Sequence, residues 1–230
     1  MKILAIELSS RRRGVAWLDG DDVQLDVSWE AMTMPKGRRE ALFDRLAELL
    51  QKAGASIEEV DLFSVGRGPG AYSGMRVALA AAQGLALPDS KPVHAVSSGA
   101  ALAFDVSSEM EGPVAVVGDA RRDTLWIGVF ERDAKEIKQT LDWQLTAADD
   151  VAGLVPEDAV IVSPDWERLK EKIVSSPLRS RRRIEDSRYP SACTVGRLAG
   201  IRRANNQPSE PLTPLYLHPA VFVPPSPSHG

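Results

Sequence analysis

Apolar residues crowd into three short segments at the start of the chain, KILAIEL, GVAWLD and VQLDVSW, each rich in β-formers. The stretches between them, SSRRRG and GDD, are turn-like, so the pattern predicts three strands joined as antiparallel hairpins. The period then changes. Over residues 36–53, Leu42, Phe43, Leu46, Leu49 and Leu50 fall within one helical arc of roughly 120°, with Asp44, Glu48 and Lys52 away from it and Gly54 as a stop. The block LFSVG predicts a buried strand, residues 73–87 a second helix, and PVHAVSS a further strand, which gives βββαβαβ. PVAVVGDAR, TLWIGVFE and EIKQTLDW begin a second set of three strands, and AVIVS follows after an Asp-rich segment. The second half therefore reads as a shortened repeat of the first.

The polar VSSEMEG places a boundary near Ser107, so the expected organisation is a first lobe over 1–106 and a reduced second lobe over 107–206. TVGRLAGIRRA predicts a late helix packing back onto the core. Residues 207–230, rich in Pro and Ser, read as an extended or disordered tail.

With 230 residues, 43% hydrophobic and 26% charged, the chain can bury the core of one large or two small domains. A net charge of −4 argues against holding nucleic acid by overall charge, although arginines cluster at 11–13, 38–39, 179–183 and 202–203. Solvated surface is the commoner fate of such short runs. The single Cys193 excludes an internal disulfide and a multi-thiolate metal site. No cleavage signal follows MKILAIELSS and no stretch is long enough to span a bilayer, so a cytoplasmic protein without membrane contact is expected.

Candidate chemistry centres on GRGPGAYSGMR, residues 66–76. Gly66, Gly68 and Ala71 satisfy G-x-G-x-x-G/A between a strand and a helix. Yet the next strand ends in serines rather than an acid for a ribose, Pro69 removes an N–H from the loop, and no Lys stands where a P-loop requires one. The alternative is mechanical: Gly66, Gly68, Pro69 and Gly70 turn the chain sharply, and Ser73 caps the helix that carries Arg76. In that helix Gly74, Ala78, Ala82 and Ala86 recur every four residues, a smooth ridge where another backbone can come close. No residue between Arg76 and Gln83 is polar, so the helix needs cover on all sides, from its own lobe or partly from a partner. His94, His218 and His229 form no H-x-x-x-H pair. Glu7 and Asp119 are the only carboxylates at hairpins where a metal-bound nucleotide could be met. Glu7 is followed by LSSRRR, without glycines, and Asp119 with Arg121 reads equally well as a local ion pair.

Taken in order, ILAIELSS, the helix ending LLQKAG, VDLFSVGRGPGAYSGMRVALAAAQGLAL, PVHAVSSGAALA and GDARRDTLWIGVF resemble the TsaB family, also called YeaZ, bacterial proteins of tRNA threonylcarbamoyladenosine synthesis. The resemblance covers Met1 to Phe130 and weakens afterwards, although PLTPLYLHP resembles the family's closing P-x-Y-L segment. It implies an α/β ASKHA fold (actin-like ATPase, ribonuclease H-like) in two lobes, the second reduced. It also implies a noncatalytic subunit, without catalytic, cofactor or metal residues of its own, that pairs with a TsaD-like catalytic subunit through the two N-terminal helices. A TsaE-like ATPase joins, ATP and Mg²⁺ belong to the partners or to the complex interface, and tRNA is reached through the complex. Leu42, Leu46, Leu49, Gly74, Met75, Ala78, Leu79 and Ala82 are then the expected interface set. A homodimer through the same helices is compatible with this reading. The chain departs from the family's pattern at Glu7, where Asp is usual, at SSRRR, and at PKGRRE, where a His is common. The competing reading is an enzyme, either a kinase-like ATP-binding protein or a glycoprotease-type peptidase.

Overall fold

Five strands make each of two sheets, and the strands of both follow the same spatial order. The computed structural model describes residues 1–20, 22–31, 42–121, 123–134 and 136–218. In the first sheet β1 (Lys2–Glu7), β2 (Arg12–Asp19) and β3 (Asp22–Glu30) form an antiparallel meander. Strands β4 (Leu62–Gly66) and β5 (Val93–Val96) then add parallel to β1, giving the order β3-β2-β1-β4-β5. Burial follows position. Central β1 is enclosed on both faces from Ile3 to Glu7, whereas edge strand β3 alternates between exposed and half-buried residues.

Helices α1 (Leu42–Ala53) and α2 (Tyr72–Ala86) cover one face of this sheet, on Leu4, Ile6, Phe63 and Val65. The part of the expected first helix before Leu42 lies outside the described residues. The opposite face, Ile3, Ala5, Ala16, Leu18 and Leu62, is covered by α5 (Ala192–Ala204), the late helix foreseen from the sequence. Although it follows the second lobe in the chain, α5 thus belongs to the core of the first, and the division expected at 206 does not separate it from there.

The second sheet repeats the plan with β6 (Val114–Arg121), β7 (Thr124–Asp133), β8 (Glu136–Ala147), β9 (Val160–Ser163) and β10 (Arg182–Ser187), in the order β8-β7-β6-β9-β10. Helix α4 (Trp166–Ser175) packs Trp166, Leu169 and Ile173 against it. A single turn, Val151–Gly153, stands where the first lobe has α1, so the reduction affects helices and leaves the strand count intact. Between the sheets runs α3 (Ser98–Glu109), which packs Ala101 and Phe104 in the first lobe's core and Leu102, Ala103 and Val106 in the second's. The boundary expected at Ser107 falls inside this helix, whose last turn alone is polar. Two sheets of this order, linked by a shared helix, constitute the ASKHA fold. Among the described residues no helix is long and apolar enough to cross a membrane.

Candidate functional site

Residues 66–71 lie directly on the β1–β2 turn, and glycine is what permits it. A Cβ on Gly66 would stand 1.7 Å from Glu7 Oε2, one on Gly70 2.1 Å from the Ser9 carbonyl oxygen, and one on Gly74 2.0 Å from the Leu8 carbonyl oxygen. The Gly68–Pro69 peptide is cis. Three of the loop's N–H groups are directed into the chain: Arg67 donates to the Val96 carbonyl (3.0 Å), Gly68 to Ser98 Oγ (3.0 Å) and Ala71 to the Ser9 carbonyl (2.6 Å). Helix α2 begins at Tyr72 with Ala71 as its N-cap and no capping side chain. Ser73 therefore does not cap it as the sequence suggested; it sits inside the first turn, exposed.

Glu7 is fully buried beneath this loop. Its Oε1 accepts from the Ser9 N–H and its Oε2 from the Ser98 hydroxyl, both at 2.6 Å. Burial pushes the carboxyl above the usual range, and these bonds only partly offset it. Asp119, at the matching hairpin of the second sheet, accepts from the Arg121 N–H (2.9 Å), and its own N–H donates to Asp165 (3.0 Å). Its cation is Arg168 at 3.7 Å rather than the Arg121 expected from the sequence. Among the described residues no group of three His, Cys, Asp or Glu side chains is placed to share a metal ion.

The structure reverses the sides expected for the two helices. Leu42, Leu46, Leu49, Gly74, Met75, Ala78, Leu79 and Ala82 are all buried within their own lobe, none more than 4% exposed among the seven with a side chain. They cannot form the apolar contact set of an interface while the lobe is folded. The ridge of Gly74, Ala78, Ala82 and Ala86 brings α2 close to its own strands. The outer stripe of α2 is Tyr72, Arg76, Ala80, Gly84 and Leu87, with Tyr72 59% and Leu87 76% exposed and nothing within 4 Å of a Cβ at Gly84. On α1 the outward residues are Phe43, 61% exposed, Asp44, Ala47, Gln51 and Lys52. A second small-residue line, Ala80 and Gly84, is present in the sequence, and Tyr72 and Arg76, two turns and one turn earlier on that same line, are the signal that it faces out.

Residues 207–218 are extended and bonded along their length. Ser209 Oγ accepts from the Ala95 N–H (2.9 Å), and Glu210 forms an antiparallel bridge with Ala95 at the free edge of β5. The Glu210 carboxylate gathers Arg202 (2.6 Å), Arg67 (3.3 Å) and the Ser97 N–H (3.0 Å). Arg67 also donates to the Thr213 carbonyl (3.0 Å), while the Leu215 N–H donates to that of Arg67 (2.9 Å). Tyr216 stacks on Tyr72, and His218 Nε2 donates to the Ala120 carbonyl at 2.6 Å. Residues 219–230, with His229, lie outside the described residues.

His94, on β5, is buried with Nδ1 lacking a hydrogen-bond partner among the described residues. Burial, then the charges of Arg203 and Arg202, lower its pKa below the ordinary 6.5. The neutral ring is favoured on folding, so His94 adds stability above the unfolded value that is lost as pH falls toward the depressed one. An NMR titration is expected to place its midpoint below 6.5, and a midpoint at or above that value would contradict the burial described.

The family model "TsaD: tRNA N6-adenosine threonylcarbamoyltransferase" matches residues 36–172. The chain is 29% identical over 140 residues to the tRNA threonylcarbamoyladenosine biosynthesis protein TsaB of Escherichia coli, a match spanning 60% of this chain and 58% of that one. Against TsaB of Bacillus subtilis it is 28% identical over 173 residues, 75% of this chain and 67% of the other. The solved structure of YeaZ from Pseudomonas aeruginosa superposes with a TM-score of 0.79 at 29% identity, covering 94% of this chain and 99% of that one. Residues that pack one lobe, turn its glycine-rich loop and repeat its sheet thus coincide with one recognisable lineage, and the chain belongs to the TsaD family of that model and, within it, to the TsaB, or YeaZ, family.

Proposed function

We propose that this chain is the noncatalytic scaffold subunit of the assembly that forms threonylcarbamoyladenosine beside the anticodon of tRNA, and that it activates a TsaD-like catalytic subunit by pairing with it. The carrying observation is a division of labour on α2. Its inner face and the loop before it are consumed by the chain's own packing, while the stripe from Tyr72 to Leu87 is bare. A nucleotide's phosphates do not fit the loop: the N–H groups of Arg67, Gly68 and Ala71 donate inward, the Ser9 and Leu8 carbonyls abut Gly70 and Gly74, and the Glu7 carboxyl is turned onto two serines. ATP and Mg²⁺ are accordingly assigned to the partners or the complex interface, a TsaE-like ATPase among them, and tRNA is reached through the complex. The protein works in the cytoplasm.

The pairing surface combines the outer faces of α1 and α2. An interface of ordinary size buries about 800 Å² on each partner, and small residues flanked by aromatic and Arg side chains suit such a contact. The same stripe can meet a second copy of this chain when the catalytic subunit is absent. Ala80→Glu tests the reading, because it places a charge mid-stripe at an exposed site where the fold should shift by no more than about 0.5 kcal/mol. Co-purification with the TsaD-like subunit from the same organism is expected to be lost at an unchanged melting temperature. Undiminished co-purification would remove these helices from the interface.

A further inference from the structure

The bare stripe of α2 does not end with the helix. At its N-terminal end Tyr216, from the C-terminal segment, lies on the face of Tyr72 with ring centroids 5.0 Å apart and planes 20° from parallel. Arg76, one turn along, sets its guanidinium 5.3 Å from the Tyr72 ring centre and donates to the Tyr72 hydroxyl at 2.8 Å. Both rings remain open to solvent, Tyr72 at 59% and Tyr216 at 46%. Two aromatic rings and a guanidinium therefore form one continuous surface, and part of it is lent by a segment distant in sequence.

Tyr216 is held there by residues that do not themselves reach the stripe. Upstream, Glu210 fastens the segment to Arg67 on the glycine-rich loop and to Arg202 on α5, and Leu212 packs into the first lobe's core. Downstream, Leu217 packs with the second lobe's cluster around Val116, Trp126 and Phe130, and His218 bonds the β6–β7 hairpin at Ala120. Read in order, the segment touches the first sheet's edge, the glycine-rich loop, the stripe and the second lobe.

We propose that residues 209–218 are a latch that completes the partner-binding stripe, and that a TsaD-like subunit seated there couples its own binding to the docking of the latch on the second lobe. The inference rests on the pairing proposed above and adds to it a surface and a linkage. A catalytic subunit is the occupant that fits: this chain matches that subunit's family model over residues 36–172, so the two proteins share the elements from which the stripe is built. Stacked Tyr with Arg is the composition in which binding energy concentrates at interfaces. Reciprocity supplies the coupling, since a partner that contacts Tyr216 only when the latch is docked must favour the docked state by the same factor.

Full-length protein and its TsaD-like subunit, mixed in a calorimeter, test this together with hydrogen exchange on the free and paired protein. Tyr216→Ala is expected to weaken pairing about tenfold, equivalent to about 1.4 kcal/mol. Glu210→Ala is expected to weaken it similarly without being a contact residue, and to speed exchange across 209–218 in the free protein. In the wild type, pairing is expected to slow exchange of the Ala120 and Thr124 amides in the second lobe. If Tyr216→Ala, which removes a half-exposed side chain and should fold, pairs within twofold of wild type, the latch merely covers the sheet edge and the inference fails. Ala80→Glu run alongside separates the two levels: loss of pairing there with Tyr216→Ala unaffected leaves the helix interface standing, and no loss in either ends both readings.

Discussion

Replacing Gly74 by alanine is expected to destabilise the protein by about 3 kcal/mol, a fall of roughly 6–12 °C in melting temperature for a chain of this length. The added methyl would meet the Leu8 carbonyl oxygen at 2.0 Å and the Leu8 carbonyl carbon at 3.0 Å. Both are backbone atoms on the turn out of a fully buried strand, so no side-chain rotation relieves the clash. Helix α2 must lift, and Ala78, Leu79 and Ala82 lose contact with the sheet as it does. The control lies on the same helix. Gly84→Ala meets nothing within 4 Å and is expected to raise stability by about 0.5–1 kcal/mol through helix propensity alone. Thermal or urea unfolding of the two variants reads the contrast, and equal effects would mean that α2 does not lie on the β1–β2 turn as described.

Glu7→Gln is the second large effect, and it carries a sign in pH. The folded-state pKa of Glu7 is raised, chiefly by burial, so its contribution is fully present below the unfolded value near 4.5 and is lost as pH rises through the folded value. At neutral pH the wild type keeps a carboxylate in the core on two serine donors or holds a proton that water would remove. An amide has the same shape, can accept from the Ser9 N–H, and can donate to Ser98 Oγ. The variant is expected to be nearly equal to wild type at pH 4 and to become the more stable of the two as pH rises to 8. Urea titrations at the two pH values decide it. A stability difference that does not change with pH would show that Glu7 is solvated rather than enclosed. Glu7→Ala is the harsher change, because it leaves the Ser9 N–H and Ser98 hydroxyl without their acceptor.

What the chain discloses by pattern is mostly what its central strands disclose. Ile3 to Ile6 and Val114 to Val117 are continuous apolar blocks, and Leu62 to Val65 is broken only by the buried Ser64, because both faces of these strands are covered, and such blocks are legible without a structure. Helix α3 was not legible. Its twelve residues are buried nearly all round between two sheets, so no amphipathic period marks it and only its polar last turn stood out, as a false boundary. Strand β10, RRIEDS, has almost no apolar pattern, and it is a strand because β9 offers it a parallel edge. The interface set failed for a related reason. Leu42, Leu46 and Leu49 announce a buried face without saying what buries it, and the lobe's own sheet was the simpler answer. Of the candidate site, the glycine positions were readable from spacing, whereas the service of residues 209–218 to α2 depends on contacts between segments far apart in sequence.

The placement of α5 bears on how such a chain leaves the ribosome. Ile3, Ala5, Ala16, Leu18 and Leu62 are made before the second lobe, yet the helix that shields them is synthesised only after it. Until it emerges, one side of the first sheet stays open to water and to other nascent chains. The two lobes are consequently not beads that fold in turn, since completion of the first waits for translation of the second.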